Sequence, residues 1–283
     1  MDSPAPPLIV GFVADLMFAT RISGVAERLG YAVRWIEDAA DLPGAAGPTD
    51  EGPGELLEGQ SGALFERLTS WQPALLIFDL DNAKIPWQRW IAALKSSPAT
   101  RRLPILAYGS HVDTEALAAA RSAGADGVVA RSRFSAALPD LIAEYARHRD
   151  SAGLLEACRQ PPPTLVVEGI SLFNAGHYYK CHDLLEEAWR AEEGPVRDLY
   201  RAILQVGIAY FQIERGNYRG AVKMLLRVRQ WLAPLPAVCQ GVNDAQLRDD
   251  VSRVYDALTA LGPGELGEFD RSLFRAIRFA SPN

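Results

Sequence analysis

Residues 73–82 read PALLIFDLDN, an apolar run that begins after Pro73 and stops at two acidic residues. Such a run, bounded by turn-forming and charged residues, is typical of a strand that is buried on both faces. Similar runs recur on either side, and segments of helical periodicity separate them. We therefore expect a parallel sheet with helices on both faces. The predicted strands cover residues 8–13, 32–36, 74–78, 105–108 and 127–130.

Polar residues follow the carboxyl ends of these predicted strands. Asp79 and Asp81 come directly after the run quoted above, and Asp15 follows the first strand. Ligands of doubly wound sheets bind at this edge, where the strand order reverses. The candidate residues of a site at this edge are Asp15, Asp79, Asp81, Ser110 and Arg131.

The first half of the chain resembles the receiver domain of two-component response regulators, which has a flavodoxin-like fold with a five-stranded parallel sheet. The resemblance covers most of residues 8–147. PALLIFDLDN places Asp79 at the position of the family's phosphoacceptor aspartate, and AGADGVVARSRF at residues 123–134 is similar to the family's AGADxxxxKPF segment. The resemblance implies a phosphorylated Asp79 and a bound Mg²⁺.

Several positions depart from the family's pattern. The acidic pair that holds Mg²⁺ becomes Ala14-Asp15, and the loss of one carboxylate weakens a site that needs near-octahedral oxygen ligation. The switch position is Gly109, with Ser110 beside it, and the family's lysine is Arg131, a planar fork instead of a compact ammonium. We predict a degenerate receiver that uses no cofactor.

Two alternatives to the degenerate site remain open from the sequence. Mg²⁺ could still bind at Asp15 and Asp79, and Asp79 could still accept a phosphoryl group if Asp81 replaces the missing carboxylate.

The resemblance also implies a contact surface on the last two helices of the domain, residues 115–123 and 135–147. We expect a protein partner or a homodimer there.

The second half of the chain has a different pattern. A polyproline break at residues 160–163 ends a predicted linker, residues 148–163, between an α/β domain (1–147) and an all-α domain (164–283). Two segments forty residues apart, NAGHYYKCHDLLEEA and ERGNYRGAVKMLLRV, align with Gly176 and Gly216 as turns. They predict a helical bundle with tetratricopeptide-like hairpins. Further helices are predicted at residues 244–261 and 269–278.

LFNAGHYYKCHDLLEEAWR and LYRAILQVGIAYFQIERGNYRGA resemble domain-of-unknown-function family 309, over residues 165–232. The matching features are Phe173-Asn174, the His182/Glu186/Trp189 helix, Gln205 and Gly216-Asn217.

The helix that carries His182, Glu186 and Trp189 places all three side chains near one face, because they are spaced four and three residues apart. Gln205 and Gln212 share a face of the following helix. Three interpretations compete: a hydrogen-bonded packing network, a pocket for a small molecule or peptide, and a metal or acid–base centre at His182 and Glu186. The pair supplies two of the three or four ligands that a metal needs.

Charge, hydropathy and cysteine content limit the classes of function that the chain can have. The net charge of −6 argues against non-specific binding of nucleic acid, and no apolar run is long enough for a membrane span. Three widely spaced cysteines, Cys158, Cys181 and Cys239, suggest reduced thiols and a cytoplasmic setting. We predict a non-enzymatic signalling protein with a helical ligand- or partner-binding domain. An enzyme centred on His182 and Glu186, or a phosphorylatable regulator using Asp79, are the alternatives.

Overall fold

The computed structural model describes residues 6–44, 58–148 and 151–280. It divides into two compact units, residues 1–148 and 149–283. The interval 148–163 was expected to be a linker, but it contains the helix α7 (Ser151–Arg159), which belongs to the second unit. The linker prediction is therefore corrected. Residues 149 and 150 of that interval lie outside the described residues.

The first unit alternates strands and helices. Its strands are β1 (Leu8–Phe12), β2 (Ala32–Trp35), β3 (Leu75–Asp79), β4 (Ile105–Gly109) and β5 (Gly127–Ala130). They pair in parallel in the order β2-β1-β3-β4-β5, as expected for a receiver-like, flavodoxin-like sheet. The helices are α1 (Leu16–Arg28), α2 (Gly59–Trp71), α3 (Trp87–Ser96), α4 (Thr114–Ser122), α5 (Arg131–Ala136) and α6 (Leu138–Tyr145), and a 3-10 helix covers Ala39–Asp41.

Strand β3 has a hydrophobic cluster on each face, because successive side chains of a strand point to opposite sides. Leu76 and Phe78 pack with residues of α2 and α3. Leu75 and Ile77 pack with residues of α1 and α6. Burial on both faces explains the unbroken apolar run and fixes Asp79 at the carboxyl edge of the central strand.

The second unit is mainly helical. Its remaining helices are α8 (Thr164–Asn174), α9 (Lys180–Ala191), α10 (Arg197–Glu214), α11 (Tyr218–Leu232) and α12 (Asp244–Leu261). A two-stranded antiparallel hairpin joins β6 (Val238–Cys239) to β7 (Val242–Asn243), and 3-10 helices cover Leu266–Glu268 and Arg271–Leu273. Gln240 and Gly241 have φ values of 49° and 76°, as a type I′ hairpin turn requires.

The repeated turns after α8 and α10 have the same backbone geometry. Gly176 and Gly216 have φ values of 79° and 75°, and each N–H donates to the carbonyl three residues earlier, on Phe173 and Ile213. This left-handed conformation favours glycine, because a side chain would be strained. The structure thus confirms the two predicted turns and the helical hairpins α8–α9 and α10–α11.

The predicted helix over residues 269–278 is wrong. After the 3-10 turn Arg271–Leu273, residues 274–280 continue without a helix and end in a β-bridge between Val242 and Phe279. We call residues 274–280 the C-terminal strap. The side chain of Asn174 hydrogen bonds to both the N–H and the C=O of Ile277, and those main-chain groups are then unavailable for a helix.

Two of the three cysteines are joined: Cys158 of α7 and Cys239 of β6 form a disulfide, whereas Cys181 is free and buried. The expectation that all three are reduced is therefore wrong for this pair. The 81-residue separation gave no local signal in the sequence, and the pairing depends on the hairpin, where the Gln240 N–H donates to the Cys158 C=O at 2.6 Å.

Within the described ranges, no helix has both the length and the apolar character needed to cross a membrane.

Candidate functional site

The carboxyl edge of the first unit's sheet brings together four of the predicted site residues. Asp79 ends β3, Asp15 caps the first turn of α1, and Arg131 begins α5 directly after β5. Asp81 follows β3 by two residues. The parallel topology is responsible, because the carboxyl ends of β1, β3 and β5 meet at one edge.

The carboxylate of Asp79 is buried and fully hydrogen bonded. Its Oδ1 accepts the N–H of Asp81 at 3.1 Å, and its Oδ2 accepts the hydroxyl of Tyr108 at 3.1 Å. Arg131 Nη2 donates to both oxygens, at 2.9 and 3.2 Å. A buried charge is tolerated when it is paired and hydrogen bonded in this way.

The guanidinium of Arg131 contacts all three acidic residues. Besides Asp79, its Nη2 donates to Asp81 Oδ2 at 2.8 Å, and its Nη1 lies 3.7 Å from Asp15 Oδ2. The other carboxylate oxygen of Asp15 is engaged in capping α1, where it accepts the N–H groups of Met17 and Phe18. One internal cation therefore lies among three carboxylates.

Aromatic rings hold this cation in place. The guanidinium carbon lies 4.8 Å from the ring centroid of Phe18 and 5.5 Å from that of Tyr108. Tyr108 in turn stacks on Phe134 with centroids 4.0 Å apart. Cation–π contact favours arginine over lysine at this position, and the two Nη atoms of a guanidinium can face different carboxylates.

Burial and charge act in opposite directions on these groups. Burial raises the pKa of Asp79, and it outweighs the Arg131 charge and the Asp81 and Tyr108 hydrogen bonds, which lower it. Burial alone would lower the pKa of Arg131. The negative charges of Asp79 and Asp81 outweigh the effect of burial, and the pKa of Arg131 is therefore raised. Burial, followed by the Asp79 charge, raises the pKa of Tyr108 above its ordinary value.

The residues at this edge do not fit Mg²⁺. The guanidinium of Arg131 is the cation that the carboxylates of Asp79 and Asp81 already bind. Across residues 6–44, 58–148 and 151–280, no three Asp, Glu, His or Cys side chains are arranged to hold one ion. Ser110 is not part of the cluster; its C=O accepts the N–H of Asp113 in the turn before α4.

In the second unit, two of the five predicted residues belong to one cluster. The guanidinium carbon of Arg201 lies 4.9 Å from the ring centroid of Trp189 and 4.1 Å from that of Trp231. Trp231 Nε1 donates to Gln205 Oε1 at 3.0 Å. The indole N–H of Trp189 is buried and has no hydrogen-bond partner in the described part of the chain.

The other three predicted residues have separate partners. His182 Nδ1 lies 3.5 Å from Asp183 Oδ1, Glu186 accepts from Arg190 at 2.9 Å, and Gln212 accepts from Asn217 at 2.8 Å. The hydrogen-bonded network among His182, Glu186, Gln205 and Gln212 is therefore not formed. His182 and Glu186 also lack a third side chain that could complete a metal site within the described residues.

Reasoning from sequence missed two residues that these contacts make important. The strand prediction for residues 105–108 gives Tyr108 no role at the site, although a tyrosine at the end of an apolar strand can present its hydroxyl at the sheet edge. Asn174 was noted only as part of a family pattern, and its contact with Ile277 joins positions 103 residues apart. No local signal could have revealed that contact.

The geometry defines a receiver-like α/β unit with an internal guanidinium in its acid cluster, joined in sequence to a helical unit. Residues 166–224 match the model of the family described as "Domain of unknown function (DUF309)", which confirms the predicted resemblance. An uncharacterized protein of Aquifex aeolicus (strain VF5) is 26% identical over 105 residues, which are 36% of this chain and 31% of that protein. The chain thus matches about a third of that relative's length.

Solved structures of receiver domains are similar to the first half of the chain. A putative response regulator from Chloroflexus aurantiacus is 19% identical, with a TM-score of 0.38, over 49% of this chain and 96% of that one. The chemotaxis response regulator CheY4 of Vibrio cholerae is 13% identical, with a TM-score of 0.37, over 49% of this chain and 98% of that one.

Proposed function

We propose that this chain is a non-enzymatic signalling or regulatory protein, in which a degenerate receiver unit and a helical unit each bind other molecules. The observation that carries the proposal is the guanidinium of Arg131 among Asp15, Asp79 and Asp81. Phosphoryl transfer depends on a positioned metal and on an accessible acceptor. Here the acceptor oxygens of Asp79 are hydrogen bonded and an arginine occupies the acid cluster.

The receiver-like unit is proposed to contact a protein partner or a second copy through residues 115–123 and 135–147. In the structure these residues form α4 and the segment that includes α6, with α5 ending at Ala136. Light scattering after size exclusion tests self-association, since a strict monomer at high protein concentration would remove the homodimer from the proposal. A cytoplasmic setting remains a prediction.

The helical unit is proposed to bind a partner or a small ligand. The indole N–H of Trp189, beside Arg201, has no partner within the described ranges and is a donor for a ligand. His182 and Glu186 remain candidates for contact with a ligand. An enzymatic centre at this pair is not favoured, because each residue is bonded to a neighbour on its own helix.

The direct test is phosphorylation of the full chain. Wild type and Asp79→Asn are incubated with Mg²⁺ and a small acyl phosphate donor, and intact mass is measured under conditions that preserve an aspartyl phosphate. We expect no adduct on either protein. A Mg²⁺-dependent adduct on the wild type that is absent from Asp79→Asn would refute the degenerate receiver.

A further inference from the structure

The C-terminal strap is held chiefly through its main chain. Asn174 Oδ1 accepts the N–H of Ile277 at 2.8 Å, and Asn174 Nδ2 donates to the C=O of the same residue at 2.9 Å. A side-chain amide that binds both polar groups of one residue recognises extended backbone of any sequence. Asn174 therefore acts as a clamp on the main chain.

The hairpin and α12 supply further main-chain contacts. The strap adds to β7 as a short strand, which is the pattern of β-augmentation in peptide recognition. The hydrogen bonds are Asn243 N–H to Arg278 C=O (2.8 Å), Ala280 N–H to Gly241 C=O (2.6 Å) and Gln246 Nε2 to Ala276 C=O (3.2 Å), beside the bridge between Val242 and Phe279.

Two strap side chains are anchors. Phe274 stacks on Tyr210 with ring centroids 4.2 Å apart, and it also contacts Tyr178 edge-on at 5.7 Å. Ile277 is buried, whereas Arg275, Ala276 and Arg278 between and beside the anchors are exposed. The strap therefore occupies a groove as a bound peptide would, with two apolar anchors three residues apart.

The groove beneath the strap has unsatisfied polar atoms. The Tyr210 hydroxyl, Gln246 Oε1 and Asp250 Oδ1 are buried and have no hydrogen-bond partner in the described part of the chain. The guanidinium of Arg275 on the strap stays 3.8 Å from Asp250 Oδ1. A buried polar group that has lost water without gaining a partner is destabilising, so the strap is an imperfect occupant of this groove.

We propose that this groove is a recognition site for an extended segment of a partner protein and that the strap occupies it as an intramolecular competitor. The segment that fits has an aromatic anchor, a basic residue after it to pair with Asp250, and an aliphatic anchor three positions after the aromatic one. This inference rests on the partner-binding role proposed for the helical unit and gives that partner its chemistry.

The chain preceding the strap provides a route for its release. Gly262 ends α12 with a φ of 76°, and added side chains at Gly262 or Gly264 would meet no atom within 4 Å. Residues 265–270 follow this stretch and are anchored by the buried side chains of Leu266 and Phe269, whereas Arg271 and Ser272, directly before the strap, are exposed. The strap can therefore leave the groove while α12 and residues 265–270 stay in place.

The test uses the full chain with a protease site inserted between the exposed residues Arg271 and Ser272. After cleavage, a labelled peptide of residues 271–280 is titrated and its fluorescence anisotropy is followed. We expect saturable binding to the cleaved chain that is at least about tenfold tighter than binding to the uncleaved chain, because the tethered strap competes at high effective concentration. Asn174→Ala in the cleaved chain, or a peptide with Phe274→Ala, should weaken binding about tenfold or more.

Hydrogen exchange of the uncleaved chain provides a second measurement. The strap amides of Ile277 and Ala280 should exchange much faster than the amides of α10, and Asn174→Ala should accelerate them further without changing α10. Strap amides as protected as those of α10, or loss of helical circular dichroism on cleavage, would make the strap an integral part of the fold and overturn the proposal.

Two other outcomes also overturn it. A cleaved chain that stays folded but does not bind the peptide would show that the groove is not a recognition site. A cleaved chain that dimerises by light scattering and excludes the peptide would assign the groove to a second copy. Neither outcome excludes binding of a ligand at the Trp189 indole N–H, and neither bears on phosphorylation of Asp79, so failure here is distinguishable from failure of the proposed function.

Discussion

Two buried aspartates, one in each unit, have opposite surroundings. The Asp79 and Asp250 side chains are each only 4% exposed. Asp79 receives hydrogen bonds on both oxygens, and an arginine bonds directly to it. Among the described residues, Asp250 accepts one hydrogen bond, from Gln246 at 2.7 Å, while Arg253 and Arg275 remain at 3.7 and 3.8 Å.

The difference shows where each unit can respond to another molecule. The acid cluster around Asp79 is satisfied by the unit's own residues, so an incoming metal or phosphoryl group would have to displace Arg131 from three carboxylates. The groove beside Asp250 is covered by a strap that leaves acceptors unpaired. The first site is closed by its own chemistry, and the second is closed by a segment that can be exchanged.

The largest expected effect concerns Asp244, another poorly satisfied carboxylate of the helical unit. Asp244 is fully buried, and Arg248 Nη1 lies 2.8 Å from its Oδ2, but neither oxygen accepts a well-aligned hydrogen bond in the described residues. Burial, which outweighs the Arg248 charge, raises its pKa from 3.8 to about 7. The folded chain thus binds a proton that the unfolded chain releases between about pH 4 and 7, so stability falls as pH rises through that range.

The stabilisation lost between those two pH values is about 4 kcal/mol at most, by the usual conversion of a pKa difference into free energy. Urea unfolding of the second unit at pH 4.5, 5.5, 6.5 and 7.5 measures it, with Asp244→Asn as the matched control. We expect the variant to show a flatter profile and to be more stable than wild type near neutral pH. Identical profiles would contradict this account of Asp244.

The next largest effect is expected from a substitution in the acid cluster around Asp79. Arg131→Ala leaves the buried Asp79 carboxylate without its cation, and breaking a buried pair on one side costs about 3–5 kcal/mol. The Arg131 side chain is 30% exposed, so we expect a smaller loss, about 2–3 kcal/mol. Hydrogen exchange of the β3 amides under EX2 conditions reports this loss for the first unit alone.

The control for that experiment is the double variant Asp79→Asn/Arg131→Ala, which removes both charges. It should be less destabilised than the sum of the two single variants, because the single changes each leave a partner unpaired. Additive losses would mean that the Asp79–Arg131 ion pair does not couple the two residues.

The smallest expected effect is a difference in stability between substitutions of two buried tyrosines. Tyr108 and Tyr210 are both fully buried. The Tyr108 hydroxyl donates to Asp79, whereas the Tyr210 hydroxyl has no hydrogen-bond partner among the residues that the structure describes. Tyr108→Phe should cost about 1–2 kcal/mol, whereas Tyr210→Phe should be neutral or slightly stabilising, because it removes an unpaired hydroxyl. Thermal unfolding of the two variants checks the contrast, and an equal cost at both positions would remove the distinction between the two sites.

The sequence predicted the first unit well because its signals are local. The apolar run ending at Asp79 and the polar strand ends follow from burial on both faces of a parallel sheet, and the topology then brings Asp15, Asp79, Asp81 and Arg131 together. The sequence could not show that the guanidinium of Arg131 lies among these three carboxylates, because its position depends on the direction of one long side chain.

The second unit was predicted less completely because its important contacts are distant in sequence. The paired turns at Gly176 and Gly216 carried a glycine signal and were found. The disulfide between Cys158 and Cys239 and the clamp of Asn174 on Ile277 join residues 81 and 103 positions apart. The segment 269–278 has helical periodicity, but main-chain bonds to Asn174 and the hairpin outweigh that local preference.

The central claim, that Arg131 takes the place of a metal at Asp79, is tested most directly by divalent-cation binding to the full chain. Mn²⁺ binding is measured by electron paramagnetic resonance and Mg²⁺ binding by competition, with Asp79→Asn as control. The account predicts no saturable binding that depends on Asp79. One equivalent of Mn²⁺ bound by the wild type, displaced by Mg²⁺ and lost in Asp79→Asn, would contradict it.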